Sequence, residues 1–176
     1  MSYDFIFRIY TGRNAGLPAF LTALLALGLP ATGSAQTPAE WVKIGQRVHG
    51  EFRSFLPVGI RIGQDALQRL EAKPGELSVV YNDGAMTPCA CVADGLMMAT
   101  SSTPGRRNFA VSLVNARREF MGSAIIQNPK TGKRLRYEIP AEHLPRLLEW
   151  DRKLDPLARF NAVMKMENLF VVSVQE

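Results

Sequence analysis

The side chains in this 176-residue sequence that can do more than pack are few, and most fall in two stretches. Cys91 is followed three residues later by Asp94, and His49 stands upstream. A thiolate beside an imidazole can ligate a metal or act as a nucleophile, and a helix start near arginines favours the thiolate. The competing reading is a free cysteine that packs as a small hydrophobe. Asp94 shares the helix face of Cys91, so it either orients His49 or lies on the helix surface. Cys89 and Cys91 also form a Cys-x-Cys pair. In an oxidising compartment the two can react with each other, although a bond across one residue closes a strained ring, and a partner in another subunit is equally conceivable. Together with Met86, Met97 and Met98 they offer soft sulfur ligands suited to Cu(I), whereas methionine at helical spacing is more often core. Thr103, Gly105, Arg106, Arg107 and Asn108 make a second candidate. A glycine-containing loop with two guanidinium groups and an amide can hold a carboxylate or phosphate, or it can be a plain connection with solvated arginines.

Other chemistries lack their minimal parts. There is no dinucleotide or P-loop glycine pattern, no Gly-x-Ser-x-Gly and no His-Glu-x-x-His. Two Cys and two His with no Cys-x-x-Cys exclude a structural zinc finger. The second histidine, His143, has no partner that the sequence identifies and reads as a surface residue.

The elements that must position these groups can be traced from spacing. Thr37-Pro38-Ala39-Glu40 is a capping box with proline at the first helical position, and Trp41, Ile44 and Val48 recur at helical spacing up to Gly50. A second helix is expected from Pro57 to Ala72, with Gly59 and Gly63 on one face so that another backbone can approach closely. Leu77, Val79 and Tyr81 alternate as a strand, and residues 91–99 read as a helix. Period two then returns three times: Phe109, Val111 and Leu113; Phe120, Gly122, Ala124 and Ile126; and Leu135, Tyr137 and Ile139, with Arg134, Arg136 and Glu138 opposite the last set. These three runs predict an antiparallel meander. Pro140 is expected to open a helix carrying Leu144, Leu147 and Leu148, a further helix follows Pro156, and residues 169–174 end the chain as a strand. The predicted class is α+β, an antiparallel sheet meander flanked by helices in a single core domain.

Residues 1–35 are read apart from that fold. Arg8 and Arg13 precede an apolar run over 17–29, and Gly33-Ser34-Ala35 supplies small residues at a cleavage position, the pattern of a secretory signal peptide. The run, with Pro18 near its start and Pro30 closing it, is too short to span a bilayer, so no stable membrane span is expected. The core domain then occupies 36–176 and the protein is periplasmic or secreted. The formal net charge is +5, but residues 106–136 hold eight basic side chains against the single acid Glu119. Such a one-signed stretch suits a small anionic ligand or an acidic protein partner, or is the solvated face of a half-exposed sheet. Nucleic acid is a poor candidate for an exported protein, and a homodimer remains an option.

Two segments resemble the E-subunit family of formylmethanofuran dehydrogenase. Residues 49–63, His-Gly-Glu-Phe-Arg-Ser-Phe-Leu-Pro-Val-Gly-Ile-Arg-Ile-Gly, are similar without gaps to the family's HGHxCPGxxxGxRxG. Residues 91–97 look like CxxDAIQ, and residues 100–109, Thr-Ser-Ser-Thr-Pro-Gly-Arg-Arg-Asn-Phe, look like TGCTxGKGNL. The resemblance implies a cleft lined by His49, Cys91, Asp94 and the 103–108 loop, with His49 and Cys91 as what remains of a metal-binding or thiol-reactive cluster; the ion expected on them is a divalent metal such as zinc, while Cu(I) rests on the sulfur-rich segment around Cys89 and Cys91. The chain departs from the pattern at Glu51, Arg53 and Ser102, where the family carries His, Cys and Cys. The expected function is therefore a periplasmic ligand- or metal-binding accessory protein with a degenerate Cys/His cluster. The alternatives are a catalytic or redox subunit in one-carbon or molybdoenzyme metabolism, which the family name implies, and a non-catalytic module that docks an acidic protein on a basic sheet face.

Overall fold

The computed structural model describes residues 36–112 and 114–175, so the leader expected over 1–35 and the inward position assigned to Leu113 lie outside the described residues. Helix α1 (Pro38–His49) begins as its sequence dictates. The Glu40 carboxylate accepts from the Thr37 backbone N–H at 2.6 Å, and the Thr37 hydroxyl accepts from the Glu40 N–H at 3.3 Å. It ends at Gly50, whose φ of +92° only glycine adopts without strain, and His49 is thereby left at the helix terminus. Trp41 is buried on the inner face, but Val48 is 49% exposed, so the apolar stripe stops one turn short of the end.

Helix α2 (Phe55–Arg69) starts two residues before Pro57, because proline in the first turn loses no helical hydrogen bond. It lies against α3 (Cys91–Thr100) with no side chain between them where they cross. A Cβ on Gly59 would be driven into the Val92 carbonyl oxygen, and one on Gly95 into that of Leu56. One turn along, a Cβ on Gly63 would lie 2.6 Å from that of Ala99. The glycine spacing thus serves close backbone packing, as expected.

The sheet has five strands in the order β2-β1-β3-β4-β5, where β1 is Ser78–Asp83, β2 Phe109–Ser112, β3 Phe120–Gln127, β4 Arg134–Pro140 and β5 Val171–Gln175. Strands β3, β4 and β5 form an antiparallel meander, and β1 is antiparallel to β3. The run over 109–112 departs from the expected meander. It pairs parallel to the far side of β1 instead of beside β3. The reason is the intervening α3: a parallel return requires a crossover, and the helix supplies it, leaving β1 between its two neighbours. Opposed pairs Ala124 with Tyr137 and Ile126 with Leu135 lie on the inward face. That face shares one core with Phe55, Leu56, Ile60, Val92 and Leu96 from α2 and α3. The class is α+β.

Two expectations near the end of the chain change. Pro140 closes β4, and a 3-10 turn at Ala141–His143 precedes α4 (Leu144–Lys153), whose start is set by Pro145 in its first turn. His143 is not on the surface. It is 8% exposed, and its Nε2 lies 2.9 Å from the Asn168 carbonyl oxygen, which pins the turn to the segment before β5. Asp155 caps α5 (Pro156–Met164) by accepting from the Ala158 N–H at 2.9 Å.

Candidate functional site

Three of the residues singled out by type converge. His49, the last residue of α1, donates from Nδ1 to the Asp94 carboxylate at 2.6 Å, and its Nε2 faces Cys91 Sγ at 3.2 Å. Asp94 and Cys91 come from the first turn of α3, so the i, i+3 spacing that put them on one helix face also puts them on either side of the same imidazole. The carboxylate fixes the ring: with Nδ1–H engaged, Nε2 presents its lone pair towards the sulfur.

A fourth residue joins them. Cys89 is disulfide-bonded to Cys91, and His49, Cys89 and Cys91 each offer one ligand atom, all within 4.8 Å of one another. The Cys-x-Cys spacing was the available signal, and the pairing of the two thiols was one of the options it left open. The two sulfurs differ in access. Cys91 is fully buried, whereas Cys89 is partly exposed and lines a cavity of about 180 Å³ together with His49, Glu51, Arg53, Pro88 and Asp151.

The two family positions that were expected to differ at the start of the first motif edge this cavity. Arg53 Nε donates to Glu51 at 2.6 Å, and the Arg53 guanidinium lies 3.9 Å from Asp151. Asp151 in turn accepts from the Ser54 N–H at 2.6 Å, and Arg159 donates to the Phe52 and Asp151 carbonyl oxygens at 2.6 and 2.9 Å. These bonds tie the start of α2 to α4 and α5 and hold one wall of the cavity.

The second candidate loop lies elsewhere. It follows the far end of α3, a helix of 10 residues, and at ~1.5 Å per residue that is about 15 Å from Cys91. Thr103, Arg106 and Asn108 are turned to structural use, while the Arg107 side chain is exposed. The Thr103 hydroxyl accepts from the Arg106 N–H, Asn108 accepts from the Thr103 N–H at 2.9 Å and donates to the Leu77 carbonyl oxygen at 3.0 Å, and Arg106 donates to that of Gly75 at 3.2 Å. Gly105 and Arg107 complete the 3-10 turn and its left-handed exit at φ +57°. Ser102, buried, donates to the Leu77 carbonyl oxygen at 2.8 Å. The site and this loop are therefore separate features, not one cleft.

The methionines also part from the cluster. Met86 is 74% exposed and lines a different, largely apolar cavity with Phe120, Met121 and Leu144, while Met97 and Met98 pack against the core. Of the eight basic side chains over 106–136, two form ion pairs among the described residues: Arg117 with Glu138 at 3.0 Å and, in the turn between β3 and β4, Lys130 with Glu76 at 2.6 Å. No described helix is long and apolar enough to cross a membrane.

A family model described as "FmdE, Molybdenum formylmethanofuran dehydrogenase operon" matches residues 48–168, a span that holds His49, both cysteines, Asp94 and the whole α2–α3 contact. No curated protein matches the chain. With more than half of its residues inside that match, the chain belongs to the FmdE family of the molybdenum formylmethanofuran dehydrogenase operon.

Proposed function

We propose that this protein is a metal-binding accessory protein of an exported compartment, which holds a soft or borderline cation on His49, Cys89 and Cys91 when the two thiols are reduced. The observation that carries this reading is the convergence of one imidazole nitrogen and two sulfurs within 4.8 Å, with Asp94 bonded to the other nitrogen of the same ring. Zinc–sulfur and zinc–nitrogen bonds of about 2.3 and 2.0 Å place tetrahedral ligand atoms roughly 3.5–3.8 Å apart, so after reduction the two sulfurs must part by about 1.7 Å from disulfide bonding distance to fit. A carboxylate on the outer nitrogen of a ligating histidine is the usual support of such a site. Three protein ligands leave a position open towards the cavity, where bound zinc would supply Lewis acidity; Cu(I), which two thiolates and an imidazole also suit, would be held as a carried ion. The exported location rests on the charge, apolar run and small-residue order of residues 1–35 and agrees with a disulfide-permissive compartment.

The test is anaerobic titration of the reduced protein with Zn(II) and, separately, Cu(I), in competition with a chromophoric chelator. One ion per chain is expected. Cys89→Ser, Cys91→Ser and His49→Ala should abolish tight binding, and Asp94→Asn should weaken it by about 10- to 100-fold. Weak binding that is equal in the wild type and all four variants refutes the site. N-terminal sequencing of protein recovered from outside the cytoplasm should begin at Gln36, and an intact Met1 terminus there would refute the leader.

A further inference from the structure

The oxidised form of the cluster has a chemistry of its own. We propose that the Cys89–Cys91 disulfide is an electron acceptor in thiol–disulfide exchange, which takes two electrons from a dithiol with His49 as its proton carrier. This goes beyond metal binding, for which the same two sulfurs must already be reduced.

Three features point to it together. The disulfide is asymmetric in access: Cys89 opens on the cavity, and Cys91 is wholly buried. An incoming thiolate therefore meets Cys89 Sγ and cannot reach Cys91 Sγ, which fixes the attacked and leaving sulfurs. The leaving sulfur is the one beside the histidine, with Cys91 Sγ 3.2 Å from His49 Nε2. The ring is held in that pose by Asp94 at 2.6 Å on Nδ1. A disulfide kept only for stability has no use for an imidazole on its inner sulfur, and a bond that closes a loop of one intervening residue constrains the unfolded chain very little.

In the first exchange a substrate thiol loses its proton to His49 Nε2 and attacks Cys89 Sγ. The Cys89–Cys91 bond breaks, a mixed disulfide forms on Cys89, and Cys91 leaves as thiolate and takes the proton from Nε2. The second substrate thiol then attacks the substrate sulfur of the mixed disulfide and releases Cys89, which collects the second proton. The substrate leaves as a disulfide, two electrons and two protons having passed to the protein. The reverse sequence with a more oxidising disulfide restores the starting form.

The test uses the oxidised protein in the presence of a metal chelator, so that its outcome is independent of whether the reduced cluster binds metal. Single-turnover reduction is followed by acid quench and alkylation with two probes, dithiothreitol and a synthetic peptide whose two cysteines lie two residues apart. The reference is a peptide copy of residues 86–94 carrying the same disulfide in an unfolded context. The protein should react with at least one probe about 10²-fold faster than the reference, at the lower end of what a positioned proton carrier supplies. The faster probe identifies the source of the dithiol, a small molecule or a polypeptide. His49→Gln, verified as folded by its far-ultraviolet spectrum, should react at the rate of the reference. With excess glutathione, a monothiol, the adduct should be found on Cys89. A protein no faster than the reference with either probe, a His49→Gln variant as fast as wild type, or an adduct on Cys91 would each overturn the assignment.

Discussion

Where α2 crosses α3, the chain makes a contact that should control the site from a distance, and Gly59→Ala tests it. An ideal Cβ there would collide with the Val92 carbonyl oxygen, lie 2.7 Å from the Leu96 nitrogen and sit 3.0 Å from the Gly95 carbonyl carbon. All three are backbone atoms, so no rotamer change can relieve the crowding. To reach ordinary contact α3 must withdraw by more than about 1 Å, which loosens Val92 and Leu96, both 0% exposed, from the α2 face. Overpacking of this kind costs about 3 kcal/mol or more, and alanine's better helix propensity returns about 1. The net loss of about 2 kcal/mol should lower the melting temperature by roughly 6–8 °C in a domain of this size, read by calorimetry. Because Cys91 and Asp94 ride on α3, the same variant should also lose much of the reduced protein's metal affinity. Gly63→Ala is the informative neighbour. Its Cβ meets the Ala99 methyl at 2.6 Å, a side chain that can be trimmed, so Ala99→Gly should recover most of its lost stability. Gly105→Ala, whose nearest neighbour is the Thr103 hydroxyl at 3.9 Å, should stay within about 0.5 kcal/mol of wild type. A Gly59→Ala protein that melts with the wild type, or a Gly63→Ala loss that Ala99→Gly leaves untouched, would refute the packing argument.

Buried polar groups supply two further predictions. His143→Leu removes the partner of the Asn168 carbonyl oxygen from a site only 8% exposed and should cost about 1–3 kcal/mol in urea denaturation; a change under about 0.5 kcal/mol would mean that water replaces the ring. Asp83 is held above the usual carboxylate range by burial, against the opposing hydrogen bonds from the Tyr81 hydroxyl and the Gly84 N–H. Since its folded-state pKa is raised, the stability linked to its protonated form is complete at low pH and is lost as pH rises through that value. Asp83→Asn should therefore be more stable than wild type at pH 7 and converge with it below about pH 4; denaturation curves that run parallel across that range would contradict this.

What could be read from the sequence was whatever depended on neighbours along the chain. The Thr37 capping box, the alternation in β4 and the helix placement of Cys91 with Asp94 are all local patterns, and each is present in the fold, whereas β3 breaks its alternation at an irregularity between Phe120 and Gly122 that leaves Met121 buried. The placement of β2 was not legible, because alternation over 109–112 does not say which strand lies alongside, and on this edge strand Val111, grouped with the buried Phe109, is 49% exposed. The fate of His143 was hidden for a related reason: its partner is a backbone carbonyl 25 residues away, which leaves no mark in composition. In the 103–108 loop, a guanidinium and an amide that recognise an anion look, in sequence, the same as ones that satisfy the Gly75 and Leu77 carbonyl oxygens. Only the geometry separates those uses.

The three departures from the family's pattern take on a physical meaning once the site is assembled. Where that pattern places soft ligands, Arg53 instead braces the start of α2 against Glu51 and Asp151, and Ser102 secures the end of α3 to the Leu77 carbonyl oxygen. These replacements spend their polar atoms on the fold, so they cannot be latent ligands. Yet the count of sulfurs at the imidazole does not fall to one, because Cys89 supplies a second from the residue before the helix cap. A ligand moved next to Cys91 along the chain has a consequence that a ligand on α2 would not have: the two thiols can bond to each other, as they do here. If a metal is held as proposed, its occupancy and dithiol oxidation compete for the same two sulfurs, since the metal requires both thiolates and the disulfide removes both. The oxidised protein should consequently take up no metal until a dithiol is added, and uptake on addition should follow the rate of disulfide reduction measured without metal. Immediate uptake by the oxidised protein would show that the ion is held elsewhere and would separate the two activities.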